Sequence, residues 1–406
     1  MKEETPNQAH RPRAPWHDYK TRGIYLITIV VRNRERVLGE LNMDAKNPSV
    51  ILSEVGKAIE QEWKTTVAIQ AMNGRKISLL NYQIMPDHFH GILFVEEDMD
   101  ISVGEIIRYY KSQCTQRWRS IITGQPMLVD QAKQKTNNPI LQKEHNAQPI
   151  IEDQIIDYPE PDTGKITKRL LKNLSKKQRQ HYYSTLPRHL QPLFADDYDD
   201  TILYKRGQLQ HMIDYVMDNP RRAIMMKLNR DLFQRLIRVE INGRIYGAFG
   251  NMFLLKWPHK VAVWFHRHEQ SPENLRLPMA KRIKYEATEQ FAKERGEIIE
   301  MAAEGSTIVT AGISKGEQII KKDCFEQGFR IIHIQKEPIT QYWKPEKQRF
   351  DICGKGNLLI LAPLDIEKMP DVNGVKSTEK YSQFHNLNTI AGEIAEFHGT
   401  ALMKRS

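Results

Sequence analysis

Two short segments of this 406-residue chain carry side chains whose types and spacing suit phosphoryl chemistry. The first is MPDHFHGILF, in which His88 and His90 flank Phe89. On a β-strand successive side chains alternate faces, so the two imidazoles project together while Phe89 points the other way, into a core. Side by side they supply half of a metal site; a pair of solvent-facing histidines is the plainer alternative. The second segment is HMIDYVMDNPRRA, where Tyr215 and Asn219 stand one helical turn apart on the flank of an apolar stripe of Leu209, Met212, Ile213 and Val216. A tyrosine oxyanion attacks phosphorus to give a covalent ester that a later hydroxyl reverses. The phenol's ordinary pKa of about 10 opposes this, and a divalent metal on the scissile phosphate offsets it by stabilising developing charge. Asn219 offers an oxygen as third metal ligand; the alternative is a helix-flank Tyr with an Asn before Pro220.

These residues need a strand and a helix beneath them. The run GIYLITIVV from Gly23 to Val31 is β-branched and apolar, and predicts a buried strand. SEVGKAIEQEWKTTVAI, opened by Ser53, repeats Val55, Ile59 and Trp63 at four-residue spacing and predicts an amphipathic helix. KISLLNYQIM and HFHGILFV read as two adjacent strands broken at Pro86 and Asp87. A second helix is expected from Ser102, with Glu105 at capping-box spacing, to about Trp118. The tyrosine helix is expected from Arg206 to Asn219, ended by Pro220. Between them, Thr123 to Phe194 is rich in Gln, Asn, Lys, Asp and Pro and reads as an insertion.

Together these segments, in this order, resemble the REP-associated and insertion-sequence transposases of the single-tyrosine HUH class. The resemblance is carried by YLITIVV, LNYQIMPDHFHGILF, SVGEIIRYYKSQCTQRW, YDDTIL and QLQHMIDYVMDNPRRA, and covers roughly Tyr25 to Arg222 without the insertion. It implies an α+β domain over 17–236, an HUH-type antiparallel sheet backed by helices. It places two metal histidines on His88 and His90, a nucleophile on Tyr215 and a further metal ligand on Asn219, with Mg or Mn as the metal. The implied activity is nicking and strand transfer on single-stranded or hairpin DNA through a 5′-phosphotyrosine, and a homodimer is among the compatible assemblies. Relatives join the second helix to the tyrosine segment by a short connection, and often have an aromatic and a His where this chain has Tyr198, Asp199 and Asp200. The main alternative is a non-catalytic nucleic-acid-binding protein derived from a transposase.

Tyr109 and Tyr110 are rival nucleophiles on the second helix; the family aligns Tyr110 with a packing aromatic. Arg108, Lys111 and Arg117 of that helix are candidate phosphate contacts, with a solvated basic face as the alternative. The cluster at Lys176 to Gln180 divides the same way, with Tyr182 and Tyr183 nearby as stacking surfaces.

Beyond about Ile237 the composition changes, and 237–406 is expected to form a smaller Rossmann-like α/β accessory domain. A long charged helix is expected near Lys281 to Glu304, then STIVTAG, ISKGEQIIKKDCFEQG, FRIIHIQ and NLLILAP as strand, helix, strand, strand. TAGISKGE weakly resembles the strand-loop-helix phosphate corner of DNA-processing and lysine-decarboxylase-like domains. The Ser314 and Glu317 capping-box spacing explains it equally as a helix start, and a nucleotide-sensing role for this domain is a third functional class. No complete GxGxxG or P-loop is present, so neither a cofactor site nor ATP hydrolysis is indicated. The net charge of +10 favours a polyanionic partner. Cys114, Cys324 and Cys353 are too scattered for a disulfide framework or zinc site, no stretch is apolar enough to span a bilayer, and MKEETPNQAHRPRAPW lacks a secretory core, so a cytoplasmic location is expected.

Overall fold

The computed structural model describes residue 14 and residues 16–44, 46–124, 174–341, 343–366 and 380–399. The chain divides into two compact units, 1–221 and 222–406. Most of the expected insertion lies outside the described residues. The architecture is mixed α and β, with antiparallel pairing in both units.

The first unit runs β1 (Gly23–Val30), β2 (Gly39–Asn42), β3 (Ser49–Leu52), α1 (Glu54–Met72), β4 (Ile77–Met85), β5 (His88–Val95), α2 (Val103–Thr123), α3 (Lys176–Thr185), β6 (Asp199–Ile202) and α4 (Gln208–Leu228). The main sheet has the order β4-β5-β1-β6, all antiparallel, and β2 with β3 forms a separate ribbon. Pro86 and Asp87 make the turn between β4 and β5, where the missing proline N–H costs no ladder bond.

The sheet's two faces differ. Tyr25, Ile27, Ile29, Phe89, Leu93 and Val95 bury against Ile59 and Trp63 of α1 and Ile106, Ile107, Tyr110, Cys114 and Trp118 of α2. On the opposite face Leu26 and Ile92 pack with Leu203 and with Val216 of α4, flanked by Leu209, Met212, Ile213 and Tyr215. Both helices of the first face start on side-chain caps: the Ser53 hydroxyl accepts from the Gly56 N–H, and Ser102 with Glu105 closes a capping box. α2 continues past Trp118 to Thr123, where Gly124 adopts the left-handed conformation that ends it.

One sequence expectation fails instructively. Pro220 does not end α4 but lies inside it. Proline lacks the N–H that would bond the carbonyl four residues back. Asn219 supplies a substitute donor, its Nδ2 lying 3.2 Å from the Val216 carbonyl and 3.1 Å from that of Tyr215.

The second unit contains β7 (Gln234–Ile241), β8 (Arg244–Gly250), β9 (Lys260–Ala262), α5 (Pro272–Arg276), α6 (Glu289–Ala303), β10 (Thr307–Thr310), α7 (Lys315–Gln327), β11 (Ile331–Ile334), α8 (Lys347–Gly354), β12 (Leu358–Pro363) and α9 (Lys380–Glu396). Its sheet order is β7-β8-β12-β11-β10-β9, parallel from β9 to β12 and antiparallel through β8 and β7. One face packs against Leu387, Ile390 and Ile394 of α9, the other against α7 and α8 through Ile320, Cys324, Phe350 and Cys353. Burial on both faces explains why β10, β11 and β12 are predominantly apolar without alternation, the polar Thr307, Thr310 and His333 being buried with the rest.

Three expectations change here. The proposed boundary at Ile237 falls inside β7, which is paired to β8. The helix expected from Lys281 begins only at Glu289, because Thr288 caps it by accepting the Phe291 N–H. Between β11 and β12 stands α8, whose eight residues are too short for a periodic signal. Cys114, Cys324 and Cys353 are buried free thiols, and among the described residues no helix is long and apolar enough to cross a membrane.

Gly91 sits beside Phe89 with no space for a side chain: a Cβ there would meet Trp63 Cζ2 at 2.6 Å and the Phe89 ring at 2.8 Å. Gly91→Ala is therefore expected to destabilise the first unit by about 1–3 kcal/mol in denaturant unfolding. Unchanged stability would mean that the Trp63 and Phe89 rings yield freely.

Candidate active site

Phe89 is fully buried, which fixes His88 and His90 on the α4 face of the sheet. Their ring centroids are 4.9 Å apart and nearly perpendicular. His90 is almost wholly buried, whereas His88 keeps partial exposure.

Each imidazole has its Nδ1 held. His88 Nδ1 lies 2.6 Å from Asp87 Oδ1, and because a carboxylate only accepts, the proton sits on Nδ1. Burial opposes the ionised Asp87, but the His88 ring and the Arg34 guanidinium outweigh it and hold the carboxyl below its usual range. His90 Nδ1 lies 2.9 Å from the hydroxyl of Thr28, its cross-strand partner on β1. A ring engaged at Nδ1 directs Nε2 to a metal, the arrangement in which a polar partner fixes tautomer and ring plane.

Tyr215 reaches the same place from α4, its ring centroid 6.1 Å from that of His90. Asn219 follows one turn later, with Nδ2 committed to the carbonyls of Tyr215 and Val216 and Oδ1 as the atom suited to a metal. Among the described residues no group of three or more His, Cys, Asp or Glu side chains is arranged to hold a metal. A metal here would have two imidazole nitrogens and an amide oxygen as candidate donors, with remaining positions for water or phosphate oxygen.

Register resolves the Tyr198 to Asp200 position. Asp199 pairs with Thr28, so Gln83, His90, Thr28 and Asp199 form one row across the sheet on the histidine face. Asp200 falls on the other face, where its carboxylate accepts the Tyr19 hydroxyl at 2.8 Å. Thr28 and Asp87 were missed as partners of the histidines. Asp87 was adjacent in sequence, but Thr28 is found only by pairing β1 with β5.

The rival tyrosines belong to α2, on the opposite face from the histidines. Tyr110 is fully buried and donates to the Ile59 carbonyl at 3.3 Å, and burial, with the neighbouring Cys114 and Glu62, raises its pKa far above the ordinary phenol value.

The basic residues of α2 separate. Lys111, expected as a phosphate contact, instead donates its ammonium to the carbonyls of Ala195, Asp196 and Asp197 at 2.6, 2.7 and 3.2 Å. Burial pulls its pKa down to about 8, with Asp196 and Asp197 opposing that fall. Arg117 bonds the buried Glu62 at 2.6 Å, and Arg108 is exposed to solvent. Against Tyr183 of α3 the Arg32 guanidinium, from the turn after β1, lies 4.6 Å from the ring centre and occupies a surface suited to a base. In the second unit the capping box of α7 is formed, with Glu317 accepting from the Ile313 N–H at 2.8 Å and the Ser314 hydroxyl at 2.9 Å.

No protein-family model matches the chain. It is 28% identical over 102 residues to an uncharacterized protein of Haemophilus influenzae Rd, 25% of this chain and 46% of that protein. The chain therefore spans just under half the length of that curated relative. Among solved structures it is similar to a REP-associated tyrosine transposase bound to a REP hairpin, with 12% identity and a TM-score of 0.25 over 57% of this chain and 85% of that one. It is similar also to a candidate transposase of Deinococcus radiodurans R1, with 13% identity and a TM-score of 0.23 over 54% of this chain and 98% of that one.

Lys111→Met removes a charged donor from three carbonyls and is expected to cost about 3 kcal/mol of stability. Arg108→Ala should stay within about 0.5 kcal/mol of the parent. Thermal or denaturant melts of the two variants check the contrast, and equal melts would return Lys111 to the surface.

Proposed function

We propose that this chain is a metal-dependent enzyme that nicks and rejoins single-stranded DNA through a phosphotyrosine on Tyr215, in the manner of the single-tyrosine HUH transposases its motifs resemble. The observation that carries the reading is the convergence of Tyr215, from α4, on His90 and its neighbour His88, from β5, each imidazole held at Nδ1.

His88, His90 and the Asn219 oxygen would hold a Mg or Mn ion, which when bound supplies electrophilic stabilisation of a phosphoryl oxygen. Asp87 and Thr28 keep the rings from turning. Tyr215 presents its oxygen from a helix packed on the sheet by Val216 and Ile213, so the nucleophile is placed before substrate arrives. The Tyr215 oxygen forms a bond to phosphorus as the bond from phosphorus to the 3′ oxygen breaks. The phenolic proton is balanced by the proton gained by the departing 3′ hydroxyl. Attack by a 3′ hydroxyl on the phosphotyrosine reverses the exchange, so one ester replaces another and no nucleotide is hydrolysed. All these residues lie within 1–221, which leaves the second unit an accessory part.

The direction of attack gives a simple assay. With a hairpin-bearing oligonucleotide and Mn or Mg, a 3′-end label should become attached to protein while a 5′-end label is released on a strand with a free 3′ hydroxyl. Chelator should abolish the adduct. Tyr215→Phe should lower it by at least about a thousandfold, and His88→Ala or His90→Ala by about a hundredfold, with DNA binding retained. Tyr109→Phe and Tyr110→Phe should keep it. A nucleotide mapped by mass spectrometry to any peptide lacking Tyr215 would overturn the nucleophile, and DNA binding with no adduct in any metal would leave a binding protein.

Asn219 has two separable duties. Asn219→Ala and Asn219→Asp both lose the Nδ2 donor to the Val216 carbonyl and should each cost about 1 kcal/mol of stability. Only the aspartate keeps an oxygen for metal, so nicking should survive in it and fall in the alanine variant. Equal nicking by the two would remove Asn219 from the ligand set.

A further inference from the structure

We propose that the second unit binds a phosphomonoester between Lys321 of α7 and Arg349 of α8, at the carboxyl ends of β10 and β11. The loop leaving β10 contains Gly312, at φ +64°, and Lys321 Nζ lies 2.9 Å from where a Cβ on that glycine would stand. The ammonium is therefore laid against bare backbone. From the first turn of α8, Arg349 Nη1 donates to Oε1 of Gln335, the residue following β11, at 3.3 Å. Within the sheet His333 of β11 donates from Nδ1 to the carbonyl of Thr310 on the neighbouring β10 at 3.2 Å. β10 and β11 are parallel neighbours, so the loops that lead from their carboxyl ends into α7 and α8 lie side by side at that end of the sheet.

Both cations are partly buried, and neither makes an ion pair among the described residues. Three carboxylates act on Lys321 through space, but Glu317 is committed to the α7 cap, and Glu337 and Glu346 are exposed to water. Burial, then Arg349, lowers the Lys321 pKa, and burial, then Lys321 and Arg349, pulls that of His333 down to about 3. Among the described residues the place is positive and short of a counter-charge. It is not the helix terminus: Glu317 already occupies the anion position of α7. A terminal phosphate carries about two negative charges near neutral pH and matches two cations, whereas each phosphate within a polynucleotide carries one.

Calorimetric titration of the full chain in EDTA, which removes any metal-dependent phosphate binding by the first unit, tests this. The probes are AMP, inorganic phosphate, adenosine and an unphosphorylated single strand. AMP and inorganic phosphate should compete for one site and adenosine should not bind it. Lys321→Met and Arg349→Gln should each weaken AMP at least about tenfold, as expected for a lost charge-assisted bond. Lys322→Met, at the exposed neighbour paired with Glu326, should bind as the parent does. Melting curves without ligand accompany each variant, and if Lys321→Met unfolds, Arg349→Gln at the edge of the site decides. Failure of AMP and phosphate to bind at concentrations on the order of a millimolar would overturn the proposal. So would parent-like affinity in a folded Arg349→Gln variant, adenosine equalling AMP, or displacement of AMP by the unphosphorylated strand. None of these outcomes touches the Tyr215 reaction, which is read by adduct formation.

Discussion

Phe89 cannot rotate out of the core: Trp63 lies edge-on at 4.9 Å, Tyr110 at 5.6 Å, and Gly91 beside it leaves no room for a methyl group. Because side chains alternate along β5, this one anchored ring decides where its neighbours go, and a slip of one residue would turn both imidazoles into the apolar core against α1 and α2 and the phenyl ring onto the α4 face. The helices α1 and α2 thus act on the histidines from the far side of the sheet, by holding the residue between them. The face left over receives α4, and with it Tyr215. The candidate chemistry occupies the polar end of a face whose other end is apolar packing around Leu26, Ile92 and Val216.

The same face shows why α4 tolerates a proline where it does. A helix that stopped at Asn219 would still display Tyr215, but the Val216 carbonyl, at a buried residue, would lack its donor. The Asn219 amide supplies one and leaves its oxygen on the other side of the planar group. One side chain thereby serves backbone continuity with its nitrogen and suits a metal with its oxygen. A carboxylate would provide the oxygen without the donor, which is a physical reason for asparagine ahead of Pro220.

How far the sequence led depended on how local the controlling interaction is. Strands β1, β4 and β5, the cap of α1 and the capping boxes of α2 and α7 are set by residues within a few positions of one another, and they were legible. The histidine face was legible too, since it needs only alternation. Thr28 was not, because its bond to His90 crosses between strands 62 residues apart. Pro220 was misplaced because the usual rule concerns the backbone alone, and a neighbouring side chain repaired the defect. The carbonyl acceptors of Lys111 were not legible either, because they come from a segment more than 80 residues later.

Lys111 and Lys321 together show what separates a structural cation from a binding one. Both are partly buried, and burial lowers the pKa of both ammonium groups. Lys111 has three carbonyl acceptors for three N–H donors, so the charge is solvated by the fold and nothing further is required. Lys321 lies beside Gly312 with another cation near it, and its nearest carboxylate partner in α7 is already committed to the cap. A buried charge without matched hydrogen bonds costs stability, and the cost is recovered when an anion completes the set. The completeness of hydrogen bonding, more than burial or formal charge, therefore distinguishes a lysine that holds a loop from one that waits for a ligand.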